Sequence, residues 1–226
     1  MDRAKIRGIV FDLDGTLIRS SIDFPEMKRH MIAILEDDEI PRGHLSPTDT
    51  TVVTMEKAER IWEEKGIPEA DRMRVRAEID RVMNRMELKA ISTVEEVEGA
   101  SEAIHGLREV GYRLAVLTRG HHAYAIEALR KTGMLGSFEL ILGRNETPRP
   151  KPYAEALKHT AGLMGLELDE IIFVGDHPID ATCAKNASVR FIGVLTGWTN
   201  EEAWKDHGQK TILDSVGDLP DYLAKQ

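Results

Sequence analysis

Residues 6–16 read IRGIVFDLDGT, a short apolar run that ends in two carboxylates, Asp12 and Asp14, followed by Gly15. An apolar run without strict alternation is the mark of a strand covered on both faces, as in a parallel sheet. Further runs of this kind lie at residues 112–118, 138–143, 170–176 and 190–196, with a weaker one at 210–213. Between them the apolar residues recur at helical spacing, over residues 100–110, 123–132 and 153–163. From about residue 98 the chain therefore alternates strand and helix, which predicts an α/β fold with a Rossmann-like parallel-sheet core.

Residues 20–96 break that rhythm. They hold no good strand and instead show helical patterns at 24–35, 51–65 and 72–88. Thr48 and Asp49 are the expected capping residues of the second, and Gly66 with Pro68 behind it marks its end. The methionines of this stretch (Met27, Met31, Met55, Met73, Met83, Met86) fall at helical spacing and are expected to pack in its core or at its interface rather than to form a cofactor site. The domain reading is thus a sheet core of residues 1–19 and 97–226, interrupted by an all-helical insert of residues 20–96.

The chain has 226 residues, which at roughly 150 per domain suits one medium domain with an insert. Its hydrophobic fraction of 42% is enough for a sizeable core. The net charge of −9 argues against nucleic acid or a membrane surface as partner, because the chain repels phosphate before any local patch acts. The insert is no exception, with 12 Lys and Arg against 18 Asp and Glu. One cysteine, Cys183, excludes an internal disulfide framework and a cysteine-based zinc site, so a reducing compartment is the default. The first apolar run is far too short for a leader or a membrane span, and a cytoplasmic protein is expected.

The strand ends carry the chemistry-bearing residues. Asp12 and Asp14 stand at the carboxyl end of the first run, where ligands of open α/β sheets bind. Two carboxylates at that spacing can share a metal, or one can attack while the other shuttles a proton; an acid that merely ends a strand is the plainer alternative. Asp176 and Asp180 follow another run. A hard cation such as Mg²⁺ takes one or two such carboxylates, and Asp180 would open the next helix, where it can cap, support a metal or hold a lysine. Thr118, with Arg119 and Gly120, offers a hydroxyl and backbone N–H groups for phosphate oxygens. Lys151, between prolines, offers a charge against a phosphoryl group or crowded carboxylates.

Taken in order, these features resemble the haloacid dehalogenase-like hydrolase superfamily over nearly the whole chain. The matching motifs are DLDGT at residues 12–16, LTRG at 117–120, KP at 151–152 and GDHPID at 175–180. Residues 99–118 and 171–197 are similar to the phosphoglycolate phosphatase-like branch, and the insert resembles that branch's helical cap. The resemblance implies a Mg²⁺-dependent phosphatase acting on a small phosphorylated metabolite. Asp12 would be the nucleophile and Asp14 the acid–base. Thr118, Arg119, Gly120 and Lys151 would hold the phosphate. Asp12, the backbone carbonyl of Asp14 and Asp176 would hold the metal, with Asp180 in support. An acid at Asp14 favours phosphoryl chemistry, since a halide leaves without a proton. Two other readings stay open: a phosphomutase of the β-phosphoglucomutase type, and a non-catalytic binding module. So does the choice between monomer and homodimer. Two residues depart from the pattern. His177 stands where serine is common and would contact substrate or, as the plainer reading, fill the turn before Pro178. Arg119 stands where asparagine is common and would reach a second anionic group or face water. Arg149 is a rival for the Lys151 role. The His121–His122 pair is not expected to bind a metal, because adjacent residues do not share a helix face.

Overall fold

The computed structural model describes residues 6–225 and divides into two compact units: Ser21–Ala90 forms one, and the remaining described residues form the other. Residues 1–5 and 226 of the expected core lie outside the described residues, as does the start of the stretch read for a leader. The chain opens with β1 (Gly8–Phe11) and β2 (Ile18–Arg19), then enters the helical unit with α1 (Phe24–Asp37), α2 (Thr51–Glu64) and α3 (Glu69–Ala90). It returns through β3 (Glu95–Glu96), α4 (Ala100–Glu109), β4 (Arg113–Leu117), α5 (His122–Lys131) and β5 (Leu140–Leu142). It ends with α6 (Ala154–Leu163), β6 (Ile171–Gly175), α7 (Pro178–Ala187), β7 (Arg190–Val194), α8 (Glu201–Asp206), β8 (Ile212–Leu213) and α9 (Leu219–Ala224).

Six strands pair in parallel in the order β5-β4-β1-β6-β7-β8. This is the expected α/β, Rossmann-like sheet. β1, with sequence GIVF and every residue buried, sits in the middle because it has no polar side chain to bring to water. Its last residue, Phe11, lies level with Val116 of β4 and Val174 of β6. The chain builds outward from β1 to one side, then crosses back to build the other. The carboxyl ends of β1, β4 and β6 therefore flank the point where strand order reverses, the place where such sheets bind ligands.

The core on one face packs Val10, Leu117 and Phe173 against Leu157, Ala161, Cys183 and Ala184. Phe173, Phe191 and Trp204 pack in series at steep ring angles, 5.9 and 5.6 Å between centroids, and the buried Trp204 indole donates to the Val194 carbonyl at 3.2 Å. The helical unit has its own core of Met27, Met31, Leu35, Ala58, Trp62, Val75, Ile79 and Met83, at spacings of four along each helix.

Three details differ from the sequence reading. Thr50, not Thr48 or Asp49, caps α2 through its side chain, while Asp49 pairs with Lys57 at 2.6 Å. Met73 is 59% exposed and faces solvent on α3, whereas Met55 and Met86 pack against the helical core. β3 pairs antiparallel with β2, Ile18 opposite Glu96 and Arg19 opposite Glu95. A two-residue strand is too short to leave a periodic signal. Among the described residues no helix is long and apolar enough to cross a membrane.

Candidate active site

The site is assembled from strand ends. Asp12 is the first residue past β1, and its N–H still donates to the Val174 carbonyl at 2.9 Å. The chain then turns through Gly15 at φ 83°, a left-handed conformation that favours glycine. In that turn the Gly15 N–H donates to the Ile18 carbonyl at 2.7 Å and the Thr196 hydroxyl donates to the Gly15 carbonyl at 2.7 Å. Thr118 stands in the same relation to β4, its N–H donating to Leu142 at 2.9 Å. Its buried hydroxyl accepts from the Gly120 N–H at 3.0 Å and keeps its own hydrogen to give.

Lys151 is brought to the centre from the loop after β5. Its ammonium donates to Asp12 Oδ1 at 2.5 Å and to Asp180 Oδ1 at 2.7 Å, with all three side chains nearly inaccessible. Burial works against the ammonium, but Asp12 and Asp180 outweigh it and hold its pKa above the ordinary lysine range. Arg149, the rival, is half-exposed, lies over the Tyr153 ring and is 3.7 Å from Glu155. Lys151, not Arg149, bridges the two carboxylates.

Asp12, Asp176 and Asp180 each place a carboxylate oxygen within 4.8 Å of the others. Burial pushes the Asp176 pKa up to about 8, and the charges of Asp12 and Asp180 push the same way. Burial also raises Asp180, to about 6, against the pull of Lys151. Asp180 is the third residue of α7, where it accepts from the His177 N–H at 3.2 Å while Lys151 holds its other oxygen. His177 caps α7, its ring nitrogen accepting from the Ile179 N–H at 3.1 Å. Arg119 is half-buried. Burial holds its pKa below the usual guanidinium range, and the charges of Asp180 and Asp12 act on it in the other sense.

Several groups that shape this site left no signal in the sequence. Asp176 sits in a seat made by the 15–16 turn and the loop after β7: Thr16 donates to Oδ1 at 3.3 Å, and the Trp198 N–H donates to Oδ2 at 2.8 Å. A Cβ on Gly197 would lie 1.9 Å from Asp176 Oδ2, and one on Gly15 would lie 2.6 Å from it. Gly175 makes the same kind of room for Asp180, 2.6 Å from its Oδ2. The Trp198 indole itself is 78% exposed, so its backbone serves the site. Asp14 turns aside from the three other carboxylates to hydroxyl partners, Tyr124 at 2.6 Å and Ser20 at 3.0 Å. Of the adjacent histidines, His121 caps α5 and His122 pairs with Glu146 at 2.8 Å.

The arrangement joins a carboxylate at a strand end, a cation that holds it, a hydroxyl on the neighbouring strand and an acidic cluster that calls for a positive charge. Comparison with known proteins points the same way. Residues 9–194 match the sequence model of the haloacid dehalogenase-like hydrolases. A phosphoglycolate phosphatase of Cereibacter sphaeroides is 28% identical over 228 residues, covering 96% of this chain and 98% of that protein. The pyrophosphatase PpaX of Listeria monocytogenes is 24% identical, covering 95% of each. The crystal structure of a predicted phosphoglycolate phosphatase from Haemophilus somnus 129PT superposes with a TM-score of 0.67 at 22% identity, covering 99% of both chains.

Proposed function

Since the chain belongs to the haloacid dehalogenase-like hydrolases and is a phosphatase of that family, we propose that it hydrolyses the monoester of a small phosphorylated metabolite, of the phosphoglycolate or sugar phosphate kind, through a covalent phosphoryl-enzyme. The observation that carries this reading is the Lys151 ammonium bridging Asp12 and Asp180 at the end of β1. In the first step an Asp12 oxygen attacks phosphorus, the bond from phosphorus to the leaving oxygen breaks, and Asp14 gives that oxygen its proton. In the second, Asp14 takes a proton from water as the water oxygen attacks the same phosphorus, releasing inorganic phosphate and restoring Asp12. Thr118, Arg119 and Gly120 hold the phosphoryl oxygens. Lys151 holds the Asp12 carboxylate in place and offsets the charge that gathers on phosphate. We assign the helical insert, read in the sequence as residues 20–96 and compact in the structure over Ser21–Ala90, the role of a cap that shields the substrate from bulk water, and place the enzyme in the cytoplasm.

The buried oxygen donors at Asp12, Asp176 and Asp180 suit a hard divalent cation, and the raised Asp176 pKa marks an anionic cluster that such an ion would relieve. Mg²⁺ would be held by Asp12, the Asp14 backbone carbonyl and Asp176, with Asp180 in support. When bound it supplies positive charge against the phosphate and carboxylates. A proton competes for the same site. Asp176 is protonated in a growing share of molecules as pH falls below about 8, so apparent Mg²⁺ affinity falls by up to about tenfold per pH unit between pH 8 and 6. Calorimetric titration across that range checks this; an affinity flat with pH would contradict it. Gly197→Ala is expected to weaken Mg²⁺ binding by about 10- to 100-fold, because its methyl displaces the Asp176 carboxylate. The check is the same titration, with the melting temperature in chelator held as the control for folding.

The activity is tested by phosphate release from a panel containing 2-phosphoglycolate, pyrophosphate and sugar phosphates, with and without Mg²⁺. Metal-dependent release from one class names the substrate. Relocation of the phosphoryl group within a sugar phosphate, without release, would replace hydrolysis by the mutase reaction. The absence of both would leave a binding module.

A further inference from the structure

We propose that Tyr124, assisted by Ser20, is the positioning residue that aims the Asp14 carboxyl at the leaving oxygen, so that substrates with a poor leaving group depend on the tyrosine hydroxyl. The inference rests on the reading of Asp14 as acid–base. Tyr124 lies on α5, 110 residues from Asp14 in sequence, and is fully buried. Its hydroxyl donates to Asp14 Oδ1 at 2.6 Å, and Ser20 donates to the same oxygen at 3.0 Å. The ring is seated beside the phosphate-binding loop: a Cβ on Gly120 would come within 3.2 Å of Tyr124 Cδ1 and 3.4 Å of Thr118 Oγ1. One glycine thus lets the tyrosine stand next to Thr118 and reach across to the turn after β1.

The chemistry follows from how a carboxyl turns. Rotation about the last bond of an aspartate is broad and roughly two-fold, so the side chain alone does not fix where its oxygens point. Two donors on one oxygen do fix it. Proton transfer needs a heavy-atom distance of about 2.6–3.2 Å, and small misplacements lose large factors. A phenylalanine would fill the same volume, so packing alone does not require the hydroxyl; a buried tyrosine keeps one where it has a partner to serve. The step served is the first one. As the Asp12 oxygen bonds to phosphorus and the bond to the leaving oxygen breaks, the Asp14 O–H proton passes to that oxygen, and the alkoxy group leaves as a neutral alcohol while the phosphoryl group stays on Asp12. From an aryl ester such as p-nitrophenyl phosphate the leaving group departs as the stable p-nitrophenolate anion and needs no proton.

The test compares kcat/KM, which reports the steps up to departure of the leaving group, for an alkyl phosphate and for p-nitrophenyl phosphate. Wild type is run beside Tyr124→Phe, Ser20→Ala and Asp14→Asn. Tyr124→Phe is expected to lower the alkyl-to-aryl ratio by about 10- to 100-fold, with Ser20→Ala moving it the same way by less. Asp14→Asn sets the limit of the effect. A fall in both esters alike, or a ratio unchanged in Tyr124→Phe while Asp14→Asn lowers it, overturns the role of the tyrosine alone. A ratio that Asp14→Asn leaves unchanged overturns the acid–base reading, and this proposal with it.

Discussion

Asp12→Asn lowers phosphate release by at least about 10³-fold while the protein remains folded. The substitution keeps size and shape and replaces one oxygen by an amide nitrogen, which is no nucleophile toward phosphorus. The amide oxygen can still accept from the Lys151 ammonium, which in the native site lies 2.5 Å from Asp12 Oδ1. The variant therefore loses the attacking group and keeps the hydrogen bond. Stability should move little, because the charge lost to Lys151 is offset by relief among the carboxylates and Asp180 still pairs with the ammonium. The Asp12 charge is one of the causes that raise the pKa of Asp176 and of Asp180, so removing it relieves repulsion among buried carboxylates. The measurement pairs phosphate release on the preferred ester with a thermal melt in chelator. Residual turnover above about 1% of wild type in a fully folded variant would mean that water attacks phosphorus directly, and the covalent route would have to be given up.

That expectation starts from residues visible in the sequence, and the reason is physical. β1, β4 and β6 are buried throughout, or nearly so, and therefore carry apolar runs. A charged or hydroxyl residue that ends such a run, as Asp12, Thr118 and Asp176 do, stands out against its neighbours. Lys151 was less visible. It is separated from β5 by a loop, and only the fold shows that it, rather than Arg149, reaches Asp12. The supporting residues left no local pattern. Tyr124 reads as one more apolar residue on the buried face of α5, and its hydroxyl acquires meaning only through Asp14, 110 residues away. The seat of Asp176 is made from a backbone N–H of Trp198 and the missing side chains of Gly15 and Gly197. A backbone donor has no letter in the sequence, and a glycine that makes room looks like a glycine that turns the chain. Thr50 and Met73 mark a smaller limit: periodicity finds a helix and misplaces its cap or its face by a residue or two.

Lys151→Met should be the most damaging change for both activity and stability. The methionine nearly keeps the length of the side chain and removes the ammonium that joins Asp12 to Asp180. Breaking a buried ion pair by deleting one partner costs about 3–5 kcal/mol, because the remaining charges stay desolvated, and the two carboxylates here are at most 12% exposed. The loss depends on pH in a definite direction. The native lysine has a raised pKa, so its contribution is fully present at any pH below the ordinary lysine value. In the variant the destabilising charge is the ionised form of Asp180. Burial and Asp12 already raise this group to about 6 against the opposing pull of Lys151, and without that pull it titrates higher. An acid whose folded pKa is raised loses stability as pH rises through that value. The gap between variant and wild type should therefore be smaller near pH 5, where Asp180 is largely protonated, than at pH 8. Urea melts at the two pH values read this directly. A gap that is equal at both, or larger at pH 5, would show that Lys151 does not serve as counter-charge to these carboxylates. Activity should fall by at least about 10³-fold at either pH, since the ammonium that offsets charge on the phosphoryl group is gone.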